Sequence, residues 1–210
     1  MSTKATQIYL SICAIIVWFT VVSQFYLNVV NRSIPLSEIV IRFFSYFTIL
    51  TNILVALCFT NLLLKPKSNL GVFFSRPGVM TAVAAYITFV GIAYNLLLRH
   101  LWNPEGLQLI VDELLHTFIP LFSILYWLIF VPKSGLQWKS IFPWMIYPVV
   151  YILCVLTRGA LSGFYPYPFI DINELGFFKV LLNDVGLIVA FLLLSLLFVA
   201  IGKLMNKTFR

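Results

Sequence analysis

Two residues of this chain carry the side chains needed for nucleophilic chemistry inside otherwise apolar stretches: Thr48, with a hydroxyl, and His116, with an imidazole. A threonine hydroxyl becomes a nucleophile only beside a base, and a histidine of neutral pKa is the usual one. Asp112 precedes His116 by four residues, which on a helix is one turn away on the same face. A carboxylate there can fix the tautomer of the imidazole. Arg42, Asn52, Asn95, Arg99, Tyr151, Arg158, Asn183 and Asp184 are the further polar residues expected to orient this pair or to touch a substrate. Cations such as Arg42 and Arg158 suit a carboxylate headgroup or a developing oxyanion. The chemistry that fits is hydrolysis of an amphiphilic ester whose acyl chain lies among apolar helices. The sequence holds no G-x-S-x-G elbow, no zinc spacing and no phosphate loop, so neither metal nor cofactor is expected. His100, beside Trp102, reads as an interfacial residue.

The elements that must position these residues are membrane spans. Hydrophobic residues make up 61% of 210 positions and charged residues only 10%, against about 25% in soluble domains. Mean hydropathy is +1.01. A bilayer-crossing helix needs about 20 mostly apolar residues. Such stretches run over 8–30, 39–64, 78–99, 107–131, 142–162 and 176–202, separated by turn-forming segments such as Asn31–Pro35, Lys65–Lys67 and Trp102–Gly106. The expected fold is therefore all-α: one six-helix transmembrane bundle. Period-2 alternation is missing, which argues against a lipid-facing β-barrel. The first span is too long for a signal-peptide core and lacks a small-residue cleavage site, so it is expected to be retained. Cys13, Cys58 and Cys154 fall inside spans and read as packing residues.

The 14 basic residues are unevenly placed. Lys4, Lys65, Lys67, Arg76, Lys133, Lys139, Lys203, Lys207 and Arg210 flank one set of span ends, with no acid among them. All seven acids (Glu38, Glu105, Asp112, Glu113, Asp171, Glu174 and Asp184) belong to the opposite ends. Basic loops stay cytoplasmic, so both termini are expected inside and the acidic half outside. The net charge of +7 is thus a topology device, and nucleic acid is not an expected partner. Counted along continuous helices from Ile39 and Leu107, Thr48 and His116 each lie about 14 Å in from the outer side. Ionisable groups at such depth cost of order 2.5–3.5 kcal/mol each and mark function by default. The 164–175 loop, rich in Tyr, Pro and Phe, is expected to be an aromatic anchor or a lid.

Each of these residues also has a purely structural reading. Thr48 can bond back to the preceding turn, Asn52, Asn95 and Asn183 can join helices, and Arg42, Arg99 and Lys179 can snorkel to the interface. A transporter or lipid-binding protein would use the same polar basin without catalysis.

Several segments resemble a prokaryotic six-transmembrane family: Arg42–Asn52, Tyr94–Arg99, Trp102–Gln108, Asp112–Pro120, and Arg158–Ala160 with Tyr165–Phe169. More distantly, the chain is similar to the androgen-induced and androgen-dependent membrane threonine hydrolases, which cleave fatty acid esters of hydroxy fatty acids. Their nucleophile lies in a Tyr-x-Thr segment, matched by Tyr46-Phe47-Thr48, and their histidine in a His-Thr segment with a following Pro, matched by His116-Thr117 and Pro120. The resemblance implies Thr48 as nucleophile, His116 as its partner, a fatty-acid-like ester as ligand, membrane lipids as surroundings and a bacterial cytoplasmic membrane as location.

Overall fold

The computed structural model describes residues 3–208, with side chains through Asn206. Arg210 and the side chain of Lys207, both counted above among the basic residues, lie outside what is described. Among the described residues the regular structure is helical, and six helices are long and apolar enough to cross a membrane. The chain is a multi-pass membrane protein. It divides into two compact units, residues 1–135 and 136–210.

The first unit holds α1 (Lys4–Val30), α2 (Leu36–Phe43), α3 (Phe47–Leu64), α4 (Asn69–Phe74), α5 (Pro77–Ala93), α6 (Gly106–Glu113) and α7 (Ile119–Phe130). The hydroxyl of Thr3 caps α1 by accepting from the Thr6 amide at 3.2 Å. Leu10, Cys13, Ala14, Val17, Thr20 and Val21 then form the buried stripe of α1 at the three- and four-residue spacing of a helix face. α1 packs on α3, α3 on α5, α5 on α7 and α7 back on α1. Within this ring α5 is the most enclosed span. Its Ala82, Ala84, Ala85 and Gly91 are small enough to let neighbouring backbones approach. Interhelical hydrogen bonds fix the register: Tyr9 Oη to Phe122 O at 2.7 Å, Trp18 Nε1 to Thr60 Oγ1 at 3.0 Å, and Trp127 Nε1 to Thr81 Oγ1 at 2.9 Å. Each is worth roughly 0.6–2 kcal/mol in a bilayer.

Three irregularities interrupt these spans where sequence periodicity predicts continuous helix. The expected 39–64 helix is broken at 44–46 into α2 and α3. There the Ser45 hydroxyl donates to Ile41 O at 2.7 Å, while the Ser45 amide turns to Arg42 O at 2.9 Å. Tyr46, extended at φ −85° and ψ 125°, restarts the helix in a new direction. The single continuous helix expected over 39–64 therefore does not exist. The depth of Thr48 counted from Ile39 fails with it. The other two irregularities are π turns, Tyr94–Leu98 at the end of α5 and Leu114–Phe118 joining α6 to α7. In each, a backbone amide reaches five residues back, Arg99 to Tyr94 and Ile119 to Leu114.

Past α7, Lys133 departs from the picture of a solvated loop cation. It is 8% exposed, lies 4.3 Å from the Trp127 ring, and donates to the carbonyls of Trp127, Leu128 and Val131 at the end of α7. Burial pushes its ammonium down to about 8.

The second unit is built from α8 (Ile141–Ser162), α9 (Ile172–Leu175) and α10 (Phe177–Thr208), with α10 packed on α8. Gly163, at φ +71°, ends α8 in the left-handed region open to glycine. The chain then folds back so that the Tyr165 ring lies directly on Gly159, where an added Cβ would sit 2.0 Å from Cε1. Val155, Tyr165, Ile170 and Val180 form the buried cluster beneath the loop. Asn173 Nδ2 donates to Gly163 O at 3.2 Å, and Asn183 Nδ2 to Phe169 O at 2.8 Å. The aromatic 164–175 segment is thus packed on α8 and α10 and tied down by Asn173 and Asn183.

Candidate functional site

The polar residues of the first unit converge on the π turn Leu114–Phe118, against which α1, α3 and α5 all pack. Its backbone explains the convergence. Pro120 has no N–H, so in this stretch the carbonyls of Leu115 and His116 lose a helical donor. Two asparagines from neighbouring helices reach these carbonyls. Asn52 Nδ2, fully buried on α3, approaches Leu115 O at 3.5 Å and also donates to Thr48 O at 2.8 Å. Asn95 Nδ2 approaches His116 O at 3.4 Å and donates to Gly91 O at 2.8 Å. Gly91 makes this approach possible, because a Cβ there would stand 3.0 Å from His116 O and 3.1 Å from Pro120 Cβ. Asn52 and Asn95, expected as candidates for orienting or contacting substrate, join helices through their Nδ2 groups, while the Oδ1 of Asn52 is buried without a hydrogen-bond partner.

His116 sits in a tight aromatic and acidic frame. Its Nδ1 lies 2.9 Å from Asp112 O and 3.2 Å from Asp112 Oδ1. Both are acceptors, so in a neutral imidazole the proton is assigned to Nδ1 and Nε2 is the nitrogen able to accept one. The predicted pairing of Asp112 with His116 is present, with Asp112 only 2% exposed. The Tyr94 ring stacks on the imidazole, centroids 3.7 Å apart and planes 10° from parallel. Ring pairs of this kind contribute about 0.5–1.5 kcal/mol beyond burial. The Tyr94 hydroxyl donates to Asp112 Oδ2 and accepts from Trp102 Nε1 at 3.2 Å.

Arg99 closes the exposed side of the frame. Its guanidinium makes a two-pronged pair with Glu113, donates to Thr117 Oγ1 at 3.0 Å, and lies 5.4 Å from the Tyr94 ring centroid. Its Nε donates to Asn95 Oδ1 at 2.7 Å. Paired in this way, Arg99 is part of a network rather than a simple snorkelling cation.

Thr48 occupies the first turn of α3, immediately after the break, and is 8% exposed. The first backbone bond of α3 runs from Leu50 N to Tyr46 O, so the amides of Phe47, Thr48 and Ile49 point out of the helix end. That end carries the positive pole of the helix dipole. Through the Asn52 amide, the Thr48 carbonyl is tied to Leu115, the residue before His116. The His116 side chain contacts Asp112 and Tyr94.

The remaining expected residues belong to α2 and to the second unit. Arg42 ends α2 and pairs with Glu38 of the same helix at 2.7 Å. Tyr151, Arg158, Asn183 and Asp184 belong to the second unit. There Tyr151 packs against the Val155 cluster, and the Arg158 guanidinium lies 4.8 Å from the Phe164 ring centroid. Asn183 holds the loop at Phe169. Asp184 is 5% exposed, and both its carboxylate oxygens are buried without a hydrogen-bond partner. Sequence reasoning missed Tyr94. An aromatic residue near a span end has many uses, and only the π turn and the Gly91 approach set this ring against His116. Among the described residues no group of three or more His, Cys, Asp or Glu side chains is arranged to hold a metal ion. Compared with family models, curated proteins and solved structures, the chain matches none, and no family is identified.

Proposed function

We propose that the protein is an intramembrane hydrolase of lipid-like esters, with Thr48 as nucleophile and His116 as base. The observation that carries the reading is the helix break before Thr48. It sets the hydroxyl at the amide-rich, positive end of α3. The Nδ1 contacts of His116 leave Nε2 to take a proton. In this reaction Thr48 Oγ attacks the ester carbonyl carbon and its proton passes to Nε2. The carbonyl oxygen gains the charge, beside the first-turn amides of α3. Collapse of the tetrahedral species expels the alcohol, which takes the proton from Nε2, and leaves acyl-Thr48. Water activated by His116 then releases the fatty acid. The reaction needs Oγ and Nε2 within hydrogen-bond reach when substrate is bound. The charge pattern supports a site opening to the outer half of a bacterial cytoplasmic membrane, with both termini inside.

The test is labelling by a fluorophosphonate probe in proteoliposomes. Thr48 should be the labelled residue, and labelling should vanish in Thr48→Ala and fall at least about 100-fold in His116→Ala. Labelling that persists in folded Thr48→Ala would sink the assignment.

One observation favours a second reading, that of a transporter or lipid-binding protein. Asp184 is an unpartnered buried carboxylate within a span, a type of residue that often marks ion paths. That reading expects solute or ion flux into proteoliposomes that is lost in Asp184→Asn while Thr48→Ala conducts normally.

A further inference from the structure

We infer that Tyr94 is a positioning residue for His116, its hydroxyl holding the Asp112 carboxylate while its ring backs the imidazole. The inference rests on His116 being the base of the proposed reaction. Asp112 has two carboxylate oxygens, and each has its own partner. Oδ1 faces His116 Nδ1 at 3.2 Å and Oδ2 accepts from the Tyr94 hydroxyl. A carboxylate held at one oxygen only can rotate about its Cβ–Cγ bond; held at both, it presents Oδ1 to the imidazole in one orientation. The near-parallel stack, 3.7 Å between centroids, blocks the other freedom, rotation of the imidazole out of that plane. A base that must collect a proton from one direction gains from losing both motions.

Tyr94 is itself fixed from outside. Trp102 Nε1 donates to its hydroxyl oxygen at 3.2 Å, which leaves the tyrosine proton for Asp112. The charged and titratable groups around His116 are Asp112 and Glu113 from α6 and Tyr94 and Arg99 from the third span. α1 has only Lys4 at its start as a formal charge, and α3 has none. Glu113 and Arg99 satisfy one another. Tyr94 is thus the group that bonds the far oxygen of Asp112 and touches the ring of His116 together.

The experiment uses the two-histidine composition of the chain. In a His100→Gln background, ¹⁵N-histidine labelling gives the ring nitrogens of His116 alone. At a pH where the imidazole is neutral, the full-length protein in nanodiscs should show one tautomer, with Nδ1 protonated. Tyr94→Leu removes both ring and hydroxyl, and should bring in the second tautomer and lower kcat for ester hydrolysis about 10- to 100-fold at unchanged KM. Tyr94→Phe keeps the stack and should recover part of both losses, while a monodisperse elution profile confirms that each variant folds. Nitrogen signals identical to wild type in both variants overturn the inference, whatever happens to hydrolysis. Shifted signals in a protein that hydrolyses no ester support the positioning of His116 and remove the hydrolase reading instead.

Discussion

Asp112 shows how much of this site one carboxylate can organise. It receives His116 on one oxygen and Tyr94 on the other, within a span and at 2% exposure. Replacing it with Asn keeps the shape, but the amide nitrogen cannot accept, so it disrupts whichever of the two contacts it faces. Asp112→Asn is expected to lower ester hydrolysis by about 100-fold or more, measured as kcat in proteoliposomes. Lys133 offers a test independent of catalysis. Its ammonium is held down near 8 in the folded protein, against an ordinary value of 10.5. Between those values the unfolded chain binds more protons than the folded one, so stability rises with pH across that window. Below it both states are protonated and the full penalty of burying the charge is present. Thermal unfolding followed from pH 7.5 to 10.5 should show this rise, and Lys133→Met should flatten it.

At the level of elements, the spans were largely legible in the sequence and their irregularities were not. Apolar runs of about 20 residues announce a span, and six helices long and apolar enough to cross a membrane are present. The break at 44–46 was invisible because Phe44, Ser45 and Tyr46 are ordinary residues within an apolar run. Their conformation depends on Ser45 taking the Ile41 carbonyl. The Asp112–His116 contact was legible, since four-residue spacing is local information. The Tyr94 contact was not, since it joins two spans through Gly91. The glycines give the matching prediction. Gly91→Ala drives a methyl against the His116 carbonyl and Pro120, and should destabilise the protein by about 1–3 kcal/mol. Gly186→Ala, on α10 with nothing within 4 Å of the added Cβ, should instead stabilise by about 0.5–1 kcal/mol. Denaturation of the two variants side by side separates crowding from helix propensity.

For the whole molecule, the charge pattern makes a claim that accessibility can check. In a background with Cys13, Cys58 and Cys154 replaced, Ser134→Cys should resist a membrane-impermeant maleimide added to intact cells, and Asn103→Cys should react. The reverse pattern would invert the topology and turn the acidic half towards the cytoplasm. Composition made the number of spans readable, because insertion into lipid demands a minimum apolar length. How six spans pack leaves a weaker trace, because lipid and helix surfaces are almost equally apolar. The two π turns have a further consequence, for the evolution of length. A π turn accommodates one residue more than the α-helix it interrupts, and each residue added to or removed from a helix rotates the remainder of that helix by about 100°. Deleting one residue within Leu96–Leu98 should therefore be absorbed, with the turn reverting to ordinary helix and the lower span unmoved. The same deletion in the uninterrupted stretch of α5 would swing Tyr94 away from His116. These turns are where the protein can change length by one residue and still fold.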